Sequence, residues 1–317
     1  MKTSASTISV IRIFLILLLI SLLVFVLAFP ETAVSCARSG LILWYGSLLP
    51  VLFPFMILSG LLIRLDGIRI LLFLFHPPIH LIWGTSIYGS YALLAGFLFG
   101  CPMGAKITGD LLREQKISRE EASYLVCFVN NLSPSFLITY LVHQNLQAPS
   151  LLLPTLIILY GAPLLTGLIL MPRFRTHIPS SDTKKEASKA PFSLELIDAC
   201  IFDGILNITK LGGYILLFSL ITGAWKQLFP GQLPVFTILG ACLEITAGIP
   251  AVCALSLPFS VRYLVLVLLC SFGGICTLMQ TLSVFPMNCR LLRRYLLVKM
   301  LTMLISGLLS LSLIRPF

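Results

Sequence analysis

Charged residues are scarce in this chain, and their scarcity argues against an ordinary soluble protein. Only 11% of the 317 residues are Asp, Glu, Lys or Arg, whereas 58% are hydrophobic. Soluble domains typically contain about 25% charged and about 45–50% apolar residues. Several uncharged runs approach the ~20 residues that cross a bilayer as a helix. Because these runs are continuous rather than alternating, they predict an all-α polytopic membrane protein.

Motifs of catalysis and cofactor binding are also missing. The nine cysteines are scattered and include no CxxC pair, so they indicate neither a disulfide framework nor a metal site. The sequence contains no Gly-rich phosphate loop, zincin motif or nucleophile elbow. His76 and His80 are separated by two prolines and lack a nearby third ligand, which disfavours a metal site. We therefore expect no enzyme activity, no metal and no cofactor.

The charges that remain are mostly basic, and the net charge is +10. They cluster beside the apolar runs, a pattern that sets membrane topology, so lipid rather than nucleic acid is the expected partner. Lys2 and Arg12 precede a first run that is longer than the apolar region of a typical cleaved signal, which favours a retained helix. The mixed-charge stretch 110–121 predicts a solvated face, with Ser118 and Glu121 spaced as a capping box. A homo-oligomer is compatible with the sequence.

Seven apolar runs predict membrane spans, and two further apolar segments predict re-entrant hairpins. The predicted spans are 11–29, 40–63, 122–142, 151–171, 208–228, 263–285 and 296–314. The segments 81–112 and 234–257 are apolar as well, but the first is broken by GCPMG and the second by Glu244 and TAGIP. The prediction is therefore about seven spans plus two hairpins.

The two halves of the chain resemble each other. LAGFLFGCPMGAK (94–106) matches LGACLEITAGIPA (239–251), and the breaks in the spans that follow match at the same offset of about 144–145 residues. If both broken segments are hairpins, nearly all basic clusters fall on one side of the membrane. The halves then have opposite orientations, as in transporters built from inverted repeats. If the two broken segments instead crossed the membrane completely, basic residues would lie on both sides of it.

The break in the first hairpin, GCPMGAK, predicts a binding site. Gly100 and Gly104 let the chain turn and let another backbone or a ligand approach, and Pro102 suits the first turn of a second half-helix. The positive end of that half-helix, together with Lys106, favours an anion. The alternative is a kinked, packed helix whose lysine reaches the membrane surface.

The second broken segment contains Glu244 among apolar neighbours. A carboxylate there should face a cavity, find a partner or stay protonated, so Glu244 is a candidate for substrate contact or proton coupling. The alternative is a structural hydrogen bond between helices. Thr246, Gly248 and Pro250 are expected to form the second tip. The matching breaks in the following spans add Asn130, Asn131, Ser133, Gly273 and Gly274 as candidate binding residues.

Residues 40–290 resemble the YlbJ-type sporulation integral membrane proteins of spore-forming bacteria, within the wider group that has nucleoside-recognition (gate) domains. The resemblance is carried by PVLFPFMILSGLL, GCPMGAKITGDLLREQKISREEASYLVCFVNNLSPSF, LEITAGI and SFGGICTLMQ. It implies an architecture similar to that of concentrative nucleoside transporters, whose paired hairpins meet at mid-membrane. Family members often have a glycine-proline tip, whereas this chain has Cys101-Pro102.

The resemblance and the internal repeat divide the chain into five parts. These are an N-terminal transmembrane helix and loop (1–39), a first gate-like repeat (40–171), a basic cytoplasmic loop (172–195), a second gate-like repeat (196–286), and a C-terminal amphipathic segment with a transmembrane helix (287–317). The sequence does not give the coupling ion or the direction of transport.

The same resemblance implies a function, the secondary transport of dipicolinic acid across the outer forespore membrane of the sporulating mother cell. Dipicolinate is a planar dianion, so Lys106 and the half-helix N-termini would balance its carboxylates, and Asn130 or Asn131 would hydrogen-bond it. Glu244 would repel a dianion unless protonated, which suggests a coupling role. A nucleoside or nucleobase carrier and a non-transporting scaffold for spore assembly are the alternatives.

Overall fold

The structure is a computed structural model that describes residues 5–172, 193–229 and 233–313. The basic loop predicted at 172–195 lies almost entirely outside the described residues, as do Lys2 and the last four residues. Every regular element in the described ranges is helical, and these ranges contain no strand. The predicted all-α class is therefore confirmed.

Fifteen helices follow one another in the described part of the chain. They are α1 (Ala5–Ala28), α2 (Pro30–Arg64), α3 (Ile68–Leu71), α4 (His76–Trp83), α5 (Ile87–Phe99), α6 (Met103–Arg113), α7 (Arg119–Leu125), α8 (Phe136–Leu146), α9 (Pro149–Leu170), α10 (Leu194–Leu228), α11 (Pro234–Leu243), α12 (Ile245–Cys253), α13 (Phe259–Phe272), α14 (Gly274–Val284) and α15 (Cys289–Leu313). Helix α8 has π-helical geometry, and α2 contains one π-helical turn.

Five helical segments in the described residues are long and apolar enough to cross a membrane: α2, α9, α10, the α13–α14 pair and α15. The number rises to six if α4 and α5, which are bent by 94° relative to each other, form one span. A multi-pass helical membrane protein is therefore supported, but the predicted count of seven spans is not reached. One reason is that the predicted span 122–142 is interrupted between α7 and α8.

The two longest helices, α2 and α10, form a central antiparallel scaffold. Each has 35 residues and is therefore about 52 Å long, well beyond the ~30 Å hydrocarbon core of a bilayer. Trp44, which begins the π-helical turn of α2, donates a hydrogen bond from its indole nitrogen to the main-chain oxygen of Ile208 at 2.9 Å. Gly212 makes room for the indole, because a Cβ there would lie 2.6 Å from the Trp44 ring.

Two helical hairpins pack against this scaffold. The arms of the first are α5 and α6, joined by residues 100–102, and the arms of the second are α11 and α12, joined at Glu244. The predicted second tip is therefore two or more residues too late, because Thr246, Gly248 and Pro250 lie inside α12. The residue between the two helices is Glu244, which has an extended backbone and caps α12 with its side chain.

Local capping explains where several of these helices begin. Ser118 accepts a hydrogen bond from the Glu121 main-chain nitrogen, as the predicted capping box requires. The Glu121 carboxylate does not complete the box in the expected way. It accepts instead from the Ser86 main-chain nitrogen at 2.7 Å, at the start of α5. The buried Glu121 thereby ties α7 to the first hairpin.

Candidate functional site

The tip of the first hairpin packs against irregular backbone between α7 and α8. A Cβ at Gly96 would lie 2.2 Å from the main-chain oxygen of Val129, and one at Gly104 would lie 2.4 Å from the same atom. Gly100 has a φ of +80°, and a Cβ there would lie 2.6 Å from the Ser133 nitrogen. These positions therefore require glycine, as the sequence predicted. The backbone of the broken helix lies against them and leaves no room for a Cβ atom.

Asn130 joins this first tip to the second half of the chain. Its side-chain nitrogen donates to Thr281 Oγ1 of α14 at 2.6 Å and to Cys101 Sγ of the tip at 3.2 Å. Asn130 is 1% exposed, and its Oδ1 atom is buried without a hydrogen-bond partner. A buried acceptor without a partner is unfavourable, so this atom marks a place where a donor from a ligand or water would be stabilised.

Lys299 of α15 lies at the same place. Its side chain is 3% exposed, and Nζ donates to the main-chain oxygen of Asn130 at 2.7 Å. The ammonium lies 5.9 Å from the centre of the Tyr295 ring. In the described residues, no carboxylate forms an ion pair with it. The cluster of Asn130, Cys101, Thr281 and Lys299 is called the first-tip cluster below.

Neither Lys299 nor Thr281 was among the residues predicted from the sequence. Lys299 falls within the predicted span 296–314, close to the arginines at 290, 293 and 294. The sequence does contain a pattern that could have identified Lys299 as a buried charge. Four uncharged residues stand on each side of it (YLLV and MLTM). The same criterion identified Glu244.

The other two candidates in the first break make local contacts. Asn131 donates from Nδ2 to the Phe128 main-chain oxygen at 2.7 Å, and Ser133 Oγ accepts from the Phe136 nitrogen at 3.3 Å. Both bonds stabilise the chain between α7 and α8. Of the three predicted residues in this break, only Asn130 belongs to the first-tip cluster.

Glu244 forms the second tip and is 4% exposed. Its carboxylate accepts from the Thr246 nitrogen at 2.9 Å, the Thr246 hydroxyl at 2.6 Å and the Ala247 nitrogen at 2.7 Å. These bonds make it the N-cap of α12, where a negative charge is favourable. The N-terminus of this half-helix is therefore already satisfied by a carboxylate of the chain itself.

The second tip is also packed against a broken helix, since Gly274 (φ +84°) would place a Cβ 3.2 Å from the Cys242 main-chain oxygen. Gly273 (φ +87°) ends α13 in the left-handed conformation. Gly248 faces Ala241 across the hairpin, where a Cβ would lie 2.5 Å from the Ala241 Cα. The Tyr140 hydroxyl of α8 donates to the Thr246 main-chain oxygen, which links this hairpin to the first half.

Lys106 lies in a separate, charge-balanced cluster. It is 2% exposed, and Nζ lies 2.6 Å from Asp110 Oδ2 and 2.9 Å from Asp203 Oδ2. Arg113 lies 3.0 Å from Asp110 Oδ1. Asp110 is buried, so this part of the stretch 110–121 is not the solvated face that the sequence predicted. Asp203 is a residue that the sequence analysis missed, although it stands alone among the uncharged neighbours of α10.

The histidines of α4 each have a local partner. His76 Nδ1 lies 3.0 Å from Ser90 Oγ, and His80 Nδ1 lies 2.8 Å from the Thr85 main-chain oxygen. In the residues that the structure describes, no three His, Cys, Asp or Glu side chains are grouped so that they could hold a metal ion.

A cavity of about 290 Å³ lies between the C-terminal end of α10 and the second hairpin. Its walls include Trp225 and Phe236, which are aromatic, and Gly240 and Gly248, which leave space. Trp225 donates from its indole nitrogen to the Phe236 main-chain oxygen at 2.9 Å. A cavity of this size is close to the lower limit of pockets that hold small ligands.

One curated protein is similar to this chain over more than half of its length. No protein-family model matches the chain, and no solved structure matches it. The sporulation integral membrane protein YlbJ of Bacillus subtilis (strain 168) is 29% identical over 212 residues, which cover 61% of this chain. The resemblance to the YlbJ-type family is confirmed. The matched region spans about half, 52%, of the length of YlbJ.

The similarity to YlbJ supports a coarse description of the chain. The relative is a sporulation integral membrane protein, and the described helices of this chain are long and apolar enough for several membrane crossings. The two agree on a multi-pass membrane protein.

Proposed function

We propose that the chain is a secondary transporter that moves dipicolinate across the outer forespore membrane of the sporulating mother cell. One observation carries the proposal. Each hairpin tip packs against the break of a broken helix, at Gly100 with Ser133 and at Cys242 with Gly274. Broken helices are tolerated at membrane depth only when they are buried or line a cavity, and transporters use them to build substrate sites.

The order of elements supports an inverted repeat similar to that of concentrative nucleoside transporters. Helices α2, α5–α6, α7–α8 and α9 follow as a long helix, a hairpin, a broken helix and a complete helix. Helices α10, α11–α12, α13–α14 and α15 follow in the same order. The close pairs Gly96 with Gly104 and Ala241 with Gly248 flank the two tips at matching positions.

Contacts between the halves are reciprocal, which also favours the repeat. The broken helix of the second half reaches the first hairpin tip through Thr281 of α14 and Cys101, and the broken helix of the first half reaches the second hairpin through Tyr140 of α8 and Thr246. A substrate between the two hairpins would therefore contact both halves, as alternating access by inverted repeats requires.

Dipicolinate fits the character of the buried groups better than a purely apolar substrate would. The first-tip cluster offers an amide, a hydroxyl and an ammonium group to a small polar molecule. The aromatic cavity beside Trp225 and Phe236 could hold a planar ring during passage. We propose no enzymatic activity, cofactor or metal for this site, and membrane lipid is the surrounding partner.

The test is uptake of labelled dipicolinate by proteoliposomes that contain the purified protein, compared with Gly100→Ala and Gly161→Ala variants. We expect uptake by the wild type and a loss of about 10-fold or more in Gly100→Ala, because a misplacement of about 1 Å can lower the rate by about 100-fold. The added methyl would lie 2.6 Å from the Ser133 nitrogen. Gly161→Ala is the matched control, since a Cβ there meets nothing within 4 Å.

Three results would contradict the proposal or change it. Uptake by the folded wild type equal to that of empty vesicles would favour a scaffold role. Uptake of labelled nucleoside by the wild type, with dipicolinate uptake equal to that of empty vesicles, would favour a nucleoside carrier. Unchanged uptake by Gly100→Ala would show that the first tip does not contribute to the transport path.

A further inference from the structure

The buried charges of the described residues differ in whether the chain itself balances them. Lys106 and Asp110 form an ion pair with each other. Glu121 accepts from the Ser86 main-chain nitrogen, and Glu244 accepts three hydrogen bonds at the start of α12. Of the two buried lysines in the described residues, Lys106 has carboxylate partners, whereas Lys299 contacts only neutral atoms, the Asn130 oxygen and the Tyr295 ring.

The position of Lys299 makes this imbalance unfavourable in the absence of a ligand. Lys299 lies in the apolar part of the candidate membrane-spanning helix α15, five residues after Arg294, or about 7.5 Å along a helix of 1.5 Å rise per residue. A charged side chain within a spanning helix is costly in contact with lipid, so such residues face the protein interior or an ion or substrate pathway.

The groups around Lys299 form one wall of a binding site for an anion. An ammonium group has three N–H donors, and the Asn130 main-chain oxygen accepts from one of them. Asn130 and Thr281 supply neutral polar groups beside it. The Lys299 ammonium group therefore has N–H donors left for a ligand. It lies next to a hairpin tip that would have to move during transport.

We propose that Lys299 binds a carboxylate group of the transported anion, with Asn130 as its positioning residue in the first-tip cluster. The inference rests on the proposed transport function and assigns it a carboxylate-specific subsite. It gives Lys299 the anion-balancing part that the sequence analysis gave to Lys106. Lys106 is already balanced by Asp110 and Asp203.

This assignment selects among ligand classes. A carboxylate gains a charge-assisted hydrogen bond from an ammonium group, whereas a neutral nucleoside or a carboxamide does not. A chain with this subsite should therefore distinguish pyridine-2,6-dicarboxylate from pyridine-2,6-dicarboxamide, which has nearly the same shape. The site is expected to prefer the dicarboxylate.

The experiment measures uptake of labelled dipicolinate by wild-type, Lys299→Met and Lys210→Met proteins in proteoliposomes. Methionine keeps most of the length of lysine and removes the charge. We expect the apparent affinity of Lys299→Met to fall by about 10- to 100-fold, the range for one hydrogen bond to a charged group. Lys210 is an exposed lysine of a spanning helix, so Lys210→Met should transport like the wild type.

A second measurement keeps the inference testable if the variant does not fold or the wild type does not transport. Wild type and a Lys299→Arg variant in detergent are heated with pyridine-2,6-dicarboxylate, pyridine-2-carboxylate or pyridine-2,6-dicarboxamide, and the unfolding temperature is recorded. Stabilisation of the wild type by the two carboxylates, but not by the dicarboxamide, would support the carboxylate subsite. Retention of that stabilisation in Lys299→Arg, which keeps the positive charge, would assign it to the charge at position 299.

The two proposals fail in different ways. Equal affinity of Lys299→Met and wild type for dipicolinate would overturn the role of Lys299 and leave transport standing. Absence of uptake by a wild type that carboxylates still stabilise would overturn transport and leave the subsite standing. If no carboxylate stabilises the wild type, or the dicarboxamide stabilises it equally, the carboxylate subsite is wrong.

Discussion

At the scale of single residues, the two hairpin tips use different chemistry. Glu244 places a carboxylate on the first N–H groups of α12, so the second tip is capped from within. The first tip has no such acid, because Pro102 precedes α6 without a side-chain cap. The buried ammonium of Lys299 lies on that side instead. The electrostatic character of the two tips is therefore opposite, although their shapes are similar.

The structural role of Glu244 leads to a prediction for Glu244→Gln. Glutamine retains one acceptor oxygen, so we expect a loss of about 1 kcal/mol in the free energy of unfolding, the usual effect of a weakened N-cap. We also expect the pH dependence of dipicolinate uptake to remain, since both carboxylate oxygens are occupied as acceptors. Thermal unfolding and uptake at several pH values are the measurements.

The exposed Glu120 supplies the control for this prediction, and Glu120→Gln should change neither quantity. If Glu244→Gln instead abolished the pH dependence while the unfolding temperature stayed close to that of the wild type, Glu244 would be a proton-coupling residue, as the sequence suggested.

At the scale of elements, the first hairpin is held by ion pairs along α6 and by close backbone packing at its tip. Lys106 of α6 reaches Asp203 of α10, so the hairpin is tied to the scaffold. The tip lacks such charges and depends on glycine contacts with the first break. If the hairpin moves in transport, we expect the tip rather than the ion-paired end to move first.

A lysine substitution tests the ion pairs between α6 and α10. Lys106→Met leaves Asp110 and Asp203 near each other with Arg113 as their nearest described basic partner. We expect a loss of about 3–5 kcal/mol in unfolding free energy, as for other buried ion pairs that lose one partner. The double variant Lys106→Met/Asp203→Asn should recover part of the loss.

Thermal unfolding in detergent would measure these effects, with Lys226→Met as the control because Lys226 is exposed in the same helix as Asp203. A double variant no more stable than the single one would show that Asp203 is not the partner that matters.

At the scale of the whole molecule, the orientation of the halves depends on whether the second hairpin re-enters or crosses. Gln227 is exposed near the end of α10, and Cys289 is exposed at the start of α15. If α11 and α12 return to the side they came from, the single crossing by α13–α14 places these two residues on opposite sides of the membrane.

Labelling of intact cells by a membrane-impermeant maleimide tests this orientation. We expect a Gln227→Cys variant to be labelled at position 227 from outside, and native Cys289 to be labelled only after permeabilisation. Mass spectrometry of the labelled peptides identifies the modified residue. Labelling of both positions from outside would mean that the second hairpin crosses the membrane, and the inverted repeat would then be wrong.

Much of the helical layout could be predicted from the sequence for physical reasons. Backbone groups in lipid must be satisfied within a helix, so apolar runs reveal helices almost directly. The break at residues 100–102 was predictable since Gly and Pro interrupt such a run. Gly273 and Gly274 were predictable in the same way, and both have positive φ.

The sequence alone therefore determined the helical membrane class, the two broken apolar segments and the breaks at residues 100–102 and 273–274, because these follow from local hydropathy and backbone chemistry. Only the tertiary structure decided how the buried charges are paired. Lys106 and Lys299 both stand in apolar surroundings, but one has two carboxylate partners and the other has the main-chain oxygen of Asn130. Such partners are distant along the chain, and the packing of helices brings them together.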